Sequence, residues 1–270
     1  MIIQATSSSN ATLKRLRSLR EKKYRKSEGL FLAEGLRVCT EALDHGWVPD
    51  ILLFAEGRGD HPLVRRLVQA TLAQRGQHGG GQVVETTPAL LATVTGKDNP
   101  QAVAAAFRPR ALNLAGLVPG KRTLVAERLR DPGNLGTLLR ACDATAATAL
   151  VLLDECADPT SVEAVRASMG ACFTVPFVQA ASGEFLQWKR RHGAILSGAA
   201  LDERAIHYRK ARYQPPALLL VGNEAHGLPP LLLEAADQLV MMPMLGAADS
   251  LNVAMAGTLL LYEALAQQQG

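Results

Sequence analysis

The rest of the chain is organised around its last quarter. It reads ALLLVGNEAHGLPP over residues 217–230 and QLVMMPMLGAADSLNVAMAGTLLLYEALA over residues 238–266. An apolar strand is predicted over residues 218–221 and a second over residues 238–242, and an apolar helix is predicted to begin after Asn252. Two strand ends and a helix start therefore gather small and polar residues, which is the layout of a small-molecule site in an α/β fold.

The composition indicates a folded protein without a metal or disulfide framework. The chain has 270 residues, of which 48% are hydrophobic, enough for one large domain or two modest ones. Its longest apolar stretch, residues 253–261, is too short to span a membrane. The N-terminal MIIQATSSSN does not resemble a signal peptide. The cysteines are far apart and form no CxxC pair (Cys39, Cys142, Cys156 and Cys172). We therefore expect a reduced, cytoplasmic location and no zinc site.

The basic residues are concentrated near the N terminus. Residues 213–270 contain no Lys or Arg, whereas one short segment holds Lys14, Arg15, Arg17, Arg20, Lys22, Lys23, Arg25 and Lys26. The segment 7–26 is predicted to be one helix, capped by Ser9 or Asn10. A solvated helix face would explain such a run of charges. Contact with phosphates would explain it too, because Lys and Arg displace counterions from nucleic acid. The rest of the chain favours the second interpretation, with a polyanion bound mainly by the N-terminal part.

Strands and helices alternate through both halves of the chain. In the first half, strands are predicted at residues 29–35, 51–55, 82–85 and 102–107, and the segment 108–120 breaks the pattern as a linker. In the second half, strands are predicted at residues 123–127, 149–153, 174–178 and 194–198. We therefore predict an α/β fold with an N-terminal domain over residues 1–115 and a C-terminal domain over residues 116–270. The sheet of the second domain is expected to be largely parallel.

One group of polar residues follows the predicted strand at residues 123–127. Residues 130–136 are predicted to form a turn, and a helix is predicted over residues 137–145. Asn134 would lie in that turn, and Arg140, about one helical turn further, could project back toward it. A turn stabilised by its own Asn side chain, with a surface Arg nearby, would explain the same residues.

Two further groups follow the strands of the last quarter. Gly222 would let a ligand lie against the backbone, and Glu224 would point into the crevice, although an ordinary strand-to-loop transition would also explain them. Ser250 or Asn252 would cap the last helix, whose N terminus also offers free N–H groups to a carboxylate or phosphate. The chain contains neither GxGxxG nor GxSxG. A dehydrogenase-like nucleotide site and a hydrolase nucleophile at Ser250 are therefore disfavoured.

Four stretches, taken together and in order, resemble the motifs of a known enzyme family. They are DPGNLGTLLRACDA (131–144), ASMGACFTVP (167–176), LLLVGNEAHGLP (218–229) and MMPMLGAADSLNVAMAGTLLLYE (241–263). Over residues 120–265 the chain is similar to the three ordered motifs of the SpoU (TrmH-like) branch of the SPOUT RNA methyltransferases. The front, from residue 18 onward, resembles the ribosomal-protein-like substrate-binding domain that many members carry. Where the family often has Asn-Pro before the Asn of the first motif, this chain has Asp131-Pro132-Gly133.

The resemblance implies a dimeric enzyme that uses S-adenosylmethionine to methylate a ribose 2′-hydroxyl of structured RNA. It implies a C-terminal SPOUT domain with a deep trefoil knot and a mostly parallel sheet, and a smaller N-terminal α/β domain that binds RNA. The dimer would form through the apolar helix at residues 253–265. The family's cofactor positions fall on Gly222, Met242 and Leu251, and Gly198 would border the same pocket. Its polar catalytic set falls on Asn134, Arg140, Glu224, Ser250 and Asn252.

Our mechanistic hypothesis gives the main role to Arg140. A ribose hydroxyl is a weak nucleophile that must be placed in line with the cofactor methyl and lose its proton. A guanidinium group stays protonated in proteins and is a poor base. We therefore expect Arg140 to stabilise the developing alkoxide, while phosphate or water takes the proton. Asn134 and Asn252 would orient the ribose and its neighbouring phosphate.

The sequence leaves the substrate open. Basic N-terminal domains of this kind resemble those of ribosomal RNA modifiers, so large-subunit rRNA is the favoured substrate, and transfer RNA is the alternative. A non-catalytic RNA-binding or ribosome-assembly protein that keeps the fold is a second class of function. Antibiotic resistance through rRNA methylation is also compatible with the sequence, and no residue demonstrates it.

Overall fold

A computed structural model describes residues 1–76, 80–97, 101–110 and 112–269 of the chain. These residues divide into two compact units. The N-terminal unit comprises Met1–Arg110 and Thr160–Thr174, and the C-terminal unit comprises Ala111–Pro159 and Val175–Gly270. Residues 160–174, which are predicted as part of the C-terminal domain, group with the N-terminal unit by their contacts. The predicted boundary between an RNA-binding domain (residues 1–115) and a methyltransferase domain (residues 116–270) stays a prediction.

The regular elements are numbered in chain order. The strands are β1 (Ile2–Ala5), β2 (Phe31–Glu34), β3 (Ile51–Ala55), β4 (Gln82–Thr86), β5 (Val103–Phe107), β6 (Arg122–Glu127), β7 (Leu150–Leu153), β8 (Phe177–Ala180), β9 (Ile195–Ala199), β10 (Ile206–His207), β11 (Ala217–Val221) and β12 (Gln238–Met241). The helices are α1 (Ala11–Ser18), α2 (Lys22–Glu28), α3 (Leu36–Asp44), α4 (Pro62–Ala73), α5 (Pro88–Thr95), α6 (Pro132–Ala144), α7 (Val162–Ser168), α8 (Ser182–Arg191), α9 (Pro230–Ala235) and α10 (Val253–Gln269).

The N-terminal unit is built on a mixed sheet. Its strands lie in the order β1-β4-β3-β5-β2 within the described residues. β5 runs antiparallel to both of its neighbours, and the other pairs are parallel. The strands β3 and β5 are buried along their whole length because helices cover the sheet. The predicted small α/β domain is confirmed, with one reversed strand.

The predicted helix over residues 7–26 is two helices in the structure. Asn10 caps α1, its side chain accepting hydrogen bonds from the first turn. The buried guanidinium of Arg25 on α2 donates to the carbonyl oxygens of Leu19 (2.9 Å) and Arg20 (2.8 Å). These are carbonyls that a helix end leaves without partners. Arg25 therefore stabilises the break between the two helices, which apolar periodicity alone does not reveal.

Aromatic contacts hold residues 160–174 in the N-terminal unit. The ring of Phe173 lies 5.8 Å from that of Phe31 and 5.3 Å from that of Trp47, measured between centroids. The indole N–H of Trp47 donates to the carbonyl oxygen of Phe173 at 2.8 Å. Val162 belongs to the core of the same unit. These partners lie more than a hundred positions apart in the chain, so the local sequence pattern could not reveal the contacts of this segment.

The C-terminal unit is built on a parallel sheet. Its strands lie in the order β10-β12-β9-β11-β6-β7-β8, and every pair among the described residues is parallel. The central strands β6, β7 and β11 are buried throughout, as expected of a parallel sheet covered on both faces. The predicted largely parallel sheet is confirmed. The trefoil knot stays a prediction from the resemblance.

The helix after β6 begins five residues earlier than predicted. α6 starts at Pro132, and Asp131 caps it by accepting a hydrogen bond from the backbone N–H of Asn134 at 2.6 Å. An Asp at the cap followed by Pro at the first helical position is a strong start signal, because Pro has no N–H to leave unpaired. Asn134 therefore lies in the first turn of the helix, and the prediction that it lies in a preceding turn was wrong.

The last helix packs against α6 through a glycine. A Cβ at Gly257 would lie 2.6 Å from the Cδ2 atom of Leu138, so the missing side chain permits this close approach. On the other side of α10, Met255, Leu259 and Tyr262 are exposed. They follow the i, i+4, i+7 spacing of one helix face. No helix in the described part of the chain is long and apolar enough to cross a membrane.

Candidate active site

Three polar side chains from separate segments of the C-terminal unit meet beyond the carboxyl ends of β6 and β11. The Nδ2 atom of Asn134 donates to the Oε1 atom of Glu224 at 3.1 Å. The Nδ2 atom of Asn252 donates to the Oδ1 atom of Asn134 at 2.9 Å. Both ends of the Asn134 amide are therefore used, and the hydrogen bonds run in one direction from Asn252 to Glu224. We call these three residues the polar relay.

Helix caps orient two members of the polar relay. The Oδ1 atom of Asn252 accepts hydrogen bonds from the backbone N–H groups of Ala254 (2.9 Å) and Met255 (3.3 Å), which caps α10. This leaves the Nδ2 atom of Asn252 free to reach Asn134. Asn134 is held in turn by its place in the first turn of α6, behind the Asp131 cap. The capping role foreseen for Asn252 and its place in the relay are thus compatible.

Glu224 lies in a tight loop after β11. The backbone N–H and carbonyl of Asn223 pair with the carbonyl and N–H of Gly227 at 3.2 and 2.9 Å. Gly227 adopts the left-handed conformation, with φ of 63°, which a glycine tolerates without strain. The loop therefore presents the exposed Glu224 side chain toward Asn134.

Arg140 does not join the polar relay. It lies on α6 six positions after Asn134, which places the two side chains about 120° apart around the helix. No hydrogen bond joins them among the described residues, and the expectation that Arg140 projects back toward Asn134 stays a prediction. Its side chain is exposed, and no described residue forms a hydrogen bond or ion pair with its guanidinium. Arg140 is thus available to a group outside this unit.

Ser250 also lies outside the polar relay. It is exposed, two positions before Asn252, and forms no hydrogen bond with any residue that the structure describes. Asn252, not Ser250, caps α10. The structure thus brings together three of the five predicted polar residues and leaves Ser250 and Arg140 open to solvent. The catalytic assignment of all five stays a prediction.

A cleft of about 460 Å³ lies beside the segment that joins β12 to α10. Met242 and Leu251, two of the predicted cofactor residues, line it. Apolar side chains dominate its walls, and it falls in the size range of small-molecule sites. Its further lining residues are His207, Tyr208, Arg209, Pro243, Met244, Leu245, Gly246, Ala248 and Leu259.

The other two predicted cofactor residues do not line this cleft. A Cβ at Gly198 would lie 3.1 Å from the Cδ1 atom of Leu228 and 3.2 Å from the Cδ2 atom of Leu239. A Cβ at Gly222 would lie 2.5 Å from the carbonyl carbon of Gly227. Close packing within the unit is therefore one reason for a glycine at each position. Their contact with a cofactor stays a prediction.

The part of the cleft formed by residues 207–209 was not predicted from the sequence. These residues belong to the two-residue strand β10 and to a short 3₁₀ helix at Tyr208–Lys210. Elements this short have no periodic pattern, so no sequence signal marked them. The structural role of Asn223 was not predicted either. An Asn side chain that accepts a hydrogen bond from the backbone two residues further on is a known turn signal.

The one cysteine near the carboxyl end of β6 is not a nucleophile. The Sγ atom of Cys156 accepts a hydrogen bond from the backbone N–H of Leu129 at 3.3 Å. Burial is the main cause that raises the pKa of the Cys156 thiol to about 11. The thiol is therefore protonated near neutral pH and unreactive. Among the described residues, no group of His, Cys, Asp and Glu side chains is arranged to hold a metal ion.

The basic residues of α1 and α2 fall into two groups. Arg25 is buried between the helices, Arg15 pairs with Glu28 at 2.7 Å, and Arg17 donates to the Oγ1 atom of Thr93 at 2.9 Å. These side chains support the fold of the N-terminal unit. The exposed members of the cluster are Lys14, Arg20, Lys22, Lys23 and Lys26. We call these five the exposed basic surface.

Family models match both halves of the chain. The model of the SpoU rRNA Methylase family matches residues 121–262, which include the polar relay and the cleft. The model of the MRM3-like substrate binding domain matches residues 10–105, which include the exposed basic surface.

The chain is similar to characterised proteins over most of its length. It is 31% identical to the 23S rRNA (guanosine(2553)-2′-O)-methyltransferase RlmP of Bacillus subtilis, covering 96% of this chain and 98% of that protein. It is 31% identical to the 23S rRNA (uridine(2479)-2′-O)-methyltransferase of Streptomyces viridochromogenes, covering 89% of this chain and 84% of that protein. The crystal structure of an AdoMet-bound rRNA methyltransferase from Sinorhizobium meliloti is similar, with a TM-score of 0.89, 37% identity and 97% of each chain covered.

Proposed function

The chain belongs to the SpoU rRNA methylase family, and from this premise we propose the reaction that its C-terminal unit performs. It transfers the methyl group of S-adenosylmethionine to a ribose 2′-hydroxyl of ribosomal RNA. The relatives from Bacillus subtilis and Streptomyces viridochromogenes are named as 2′-O-methyltransferases of 23S rRNA. We therefore propose large-subunit rRNA as the substrate of this chain.

The observation that carries the proposal is the polar relay beside the cleft. Asn252 follows Leu251, which lines the cleft, so the relay begins one residue from the cleft wall. A transferase needs such a layout, because the group that accepts the methyl must be oriented next to the group that donates it. The polar relay offers an amide and a carboxylate to a ribose.

The cleft fits S-adenosylmethionine. Its volume and apolar walls suit an adenosine moiety, and Met242 and Leu251 would hold the cofactor from the β12 side. When bound, the cofactor supplies an electrophilic methyl group on a sulfonium centre. No acidic side chain lines the cleft within the described residues, so no carboxylate of its walls would face the positive charge.

The remaining steps are assigned to side chains of this chain. Asn134 and Asn252 orient the ribose and its neighbouring phosphate, and Glu224 fixes the Asn134 amide in the required direction. Arg140 stabilises the negative charge that develops on the 2′-oxygen as its proton leaves to phosphate or water. Because the Arg140 guanidinium has no partner within the described residues, it is free for this role.

The N-terminal unit would deliver the RNA, and two copies of the chain would form the active dimer. The exposed basic surface suits a phosphate backbone. The exposed apolar stripe of Met255, Leu259 and Tyr262 on α10 suits pairing with a second copy, and Leu259 also lines the cleft. A cytoplasmic location fits an rRNA substrate and the free thiols of Cys39, Cys142, Cys156 and Cys172.

Transfer of labelled methyl from S-adenosylmethionine to RNA tests the proposal. The RNA is total RNA from cells that lack this enzyme, and Arg140→Ala is assayed beside the unaltered protein. We expect label in large-subunit rRNA with the unaltered protein and a strong loss with the variant. Label in transfer RNA would overturn the proposed substrate. Absence of label in any RNA, with measurable cofactor binding, would favour a non-catalytic RNA-binding protein.

A further inference from the structure

The loop that carries Glu224 is organised around the side chain of Asn223. The Oδ1 atom of Asn223 accepts hydrogen bonds from the backbone N–H groups of Ala225 (3.0 Å) and His226 (3.1 Å). The backbone of Asn223 pairs with that of Gly227 across the same loop. The acceptor half of the Asn223 amide therefore fixes the backbone on the far side of Glu224.

The donor half of the same amide leaves the loop. The Nδ2 atom of Asn223 donates to the carbonyl oxygen of Arg128 at 2.8 Å. Arg128 directly follows β6 and precedes α6, which carries Asn134. One side chain thus joins the segment that holds Glu224 to the segment that holds Asn134.

The residue that supplies this carbonyl is itself held firmly. Arg128 has φ of 44°, in the left-handed region that non-glycine residues rarely adopt. Its backbone N–H donates to the carbonyl oxygen of Leu153 at 3.1 Å, and its guanidinium pairs with the buried carboxylate of Glu127. A backbone conformation of this kind persists only where surrounding contacts enforce it, and such positions cluster at functional sites.

We propose that Asn223 is a positioning residue for the methyl transfer. By joining the Glu224 loop to the Arg128 carbonyl, it sets the separation of Glu224 and Asn134, and so the direction of the polar relay. It acts through Glu224 and touches no reacting atom. The inference rests on the proposed function for its kinetic test, whereas its structural test is independent of that function.

Asn223→Asp is the variant that tests the amide. The carboxylate still accepts hydrogen bonds from the N–H groups of Ala225 and His226. It cannot donate to the Arg128 carbonyl oxygen, because an oxygen replaces the Nδ2 group. Asn113→Asp is the matched control, because the Oδ1 atom of Asn113 also accepts a hydrogen bond from the backbone three residues on, at 2.9 Å from Gly116 N. We expect kcat of Asn223→Asp to fall by roughly tenfold to a hundredfold, with little change in KM for RNA or in cofactor affinity. The control should turn over as the unaltered protein does.

Coupling to Glu224 separates positioning from a general structural role. If Asn223 acts through Glu224, adding Asn223→Asp to Glu224→Ala should cost no further activity. Independent effects that multiply would overturn the proposal. Should Asn223→Asp fail to fold, Asn223→Ser replaces it, because the hydroxyl can still cap the loop but is too short to reach Arg128.

The structural test needs no activity. Crystal structures of Asn223→Asp and Asn113→Asp give the distance from Asn134 Nδ2 to Glu224 Oε1, which is 3.1 Å in the unaltered chain. We expect this hydrogen bond to break in Asn223→Asp alone. If it is intact there, the inference is wrong even when methyl transfer is confirmed. If it breaks while the unaltered protein methylates no RNA, the proposed reaction fails and the positioning role stands.

Discussion

Arg140 is the residue on which the proposed chemistry most depends. Arg140→Ala should reduce kcat by on the order of 100-fold to 1,000-fold, the usual cost of losing a group that stabilises developing charge. Arg140→Lys keeps the charge but loses the planar pair of donors, so we expect it to lose at least about tenfold. Single-turnover methylation of rRNA fragments at saturating cofactor measures both variants.

Arg191→Lys is the matched control for this substitution. Arg191 is in the last turn of α8, which leads to the amino end of β9. It therefore lies near the amino ends of the parallel strands, whereas the polar relay lies beyond their carboxyl ends. Its substitution should leave kcat unchanged. Full turnover by Arg140→Lys would contradict the proposed role of the guanidinium.

Single residues were predictable from the sequence where a motif fixed them. Asn134, Glu224 and Asn252 were named from the sequence, and the structure joins them by hydrogen bonds. The geometry between Asn134 and Arg140 was not predictable once the start of α6 had been misplaced. The cap at Asp131 and the Pro at the first helical position would have placed the start of α6 correctly.

At the scale of the element, the turn after β11 depends on the absence of a side chain at Gly222. In Gly222→Ala the new Cβ would lie 2.5 Å from the carbonyl carbon of Gly227. This carbon is a backbone atom, so relieving the clash requires the loop backbone to move. We expect a loss of about 1–3 kcal/mol in the free energy of unfolding, as overpacking usually costs. Urea unfolding followed by circular dichroism measures it.

Gly183→Ala is the corresponding control for that measurement. Gly183 lies in the first turn of α8, and a Cβ at this position would meet no other atom within 4 Å. The substitution should stabilise the protein by about 0.4–1 kcal/mol, because it restricts the unfolded chain. If Gly222→Ala unfolds like the unaltered protein yet loses cofactor affinity, the glycine serves the ligand and not the turn.

Elements were predictable where burial imposes a pattern. The apolar runs of β3, β6 and β11 predicted buried strands. The parallel pairing of β6 and β11 followed from the alternation of strands and helices. The contacts of residues 160–174 were not predictable, because Phe173 packs against aromatic side chains from distant segments. β10 is only two residues long and gives no periodic signal.

At the scale of the whole molecule, RNA affinity should depend on the exposed basic surface. Lys14, Lys22 and Lys26 are exposed members of this surface. Replacing all three with Ala should weaken rRNA binding and flatten the dependence of log K on log salt by roughly 0.7–0.9 for each phosphate that the protein no longer neutralises. Filter binding at several salt concentrations measures the slope, and kcat at saturating RNA should not change.

The control for this experiment removes basic residues whose charge is already neutralised. Arg65 pairs with Asp60 at 2.6 Å, and Arg66 pairs with Asp44, in the same unit. Replacing Arg65 and Arg66 with Ala should leave the slope nearly unchanged. An equal loss of slope in both variants would mean that net charge, and not the exposed basic surface, governs binding.

The proposed dimer would give Arg140 a site on which to act. Arg140 is exposed on α6 and forms no hydrogen bond or ion pair with the polar relay of its own unit within the described residues. We therefore predict that Arg140 of one subunit serves the polar relay of the other. Arg140→Ala and Glu224→Ala should each keep only a small residual activity alone. Mixed in equal amounts and allowed to exchange subunits, they should regain about a quarter of the sites, because half of the dimers are mixed and one of the two sites in each mixed dimer is intact. Methyl transfer by the mixture measures the gain.

A mixture with no more activity than its components would place Arg140 in its own subunit's site. A monomer in sedimentation at micromolar concentration would contradict the dimer itself.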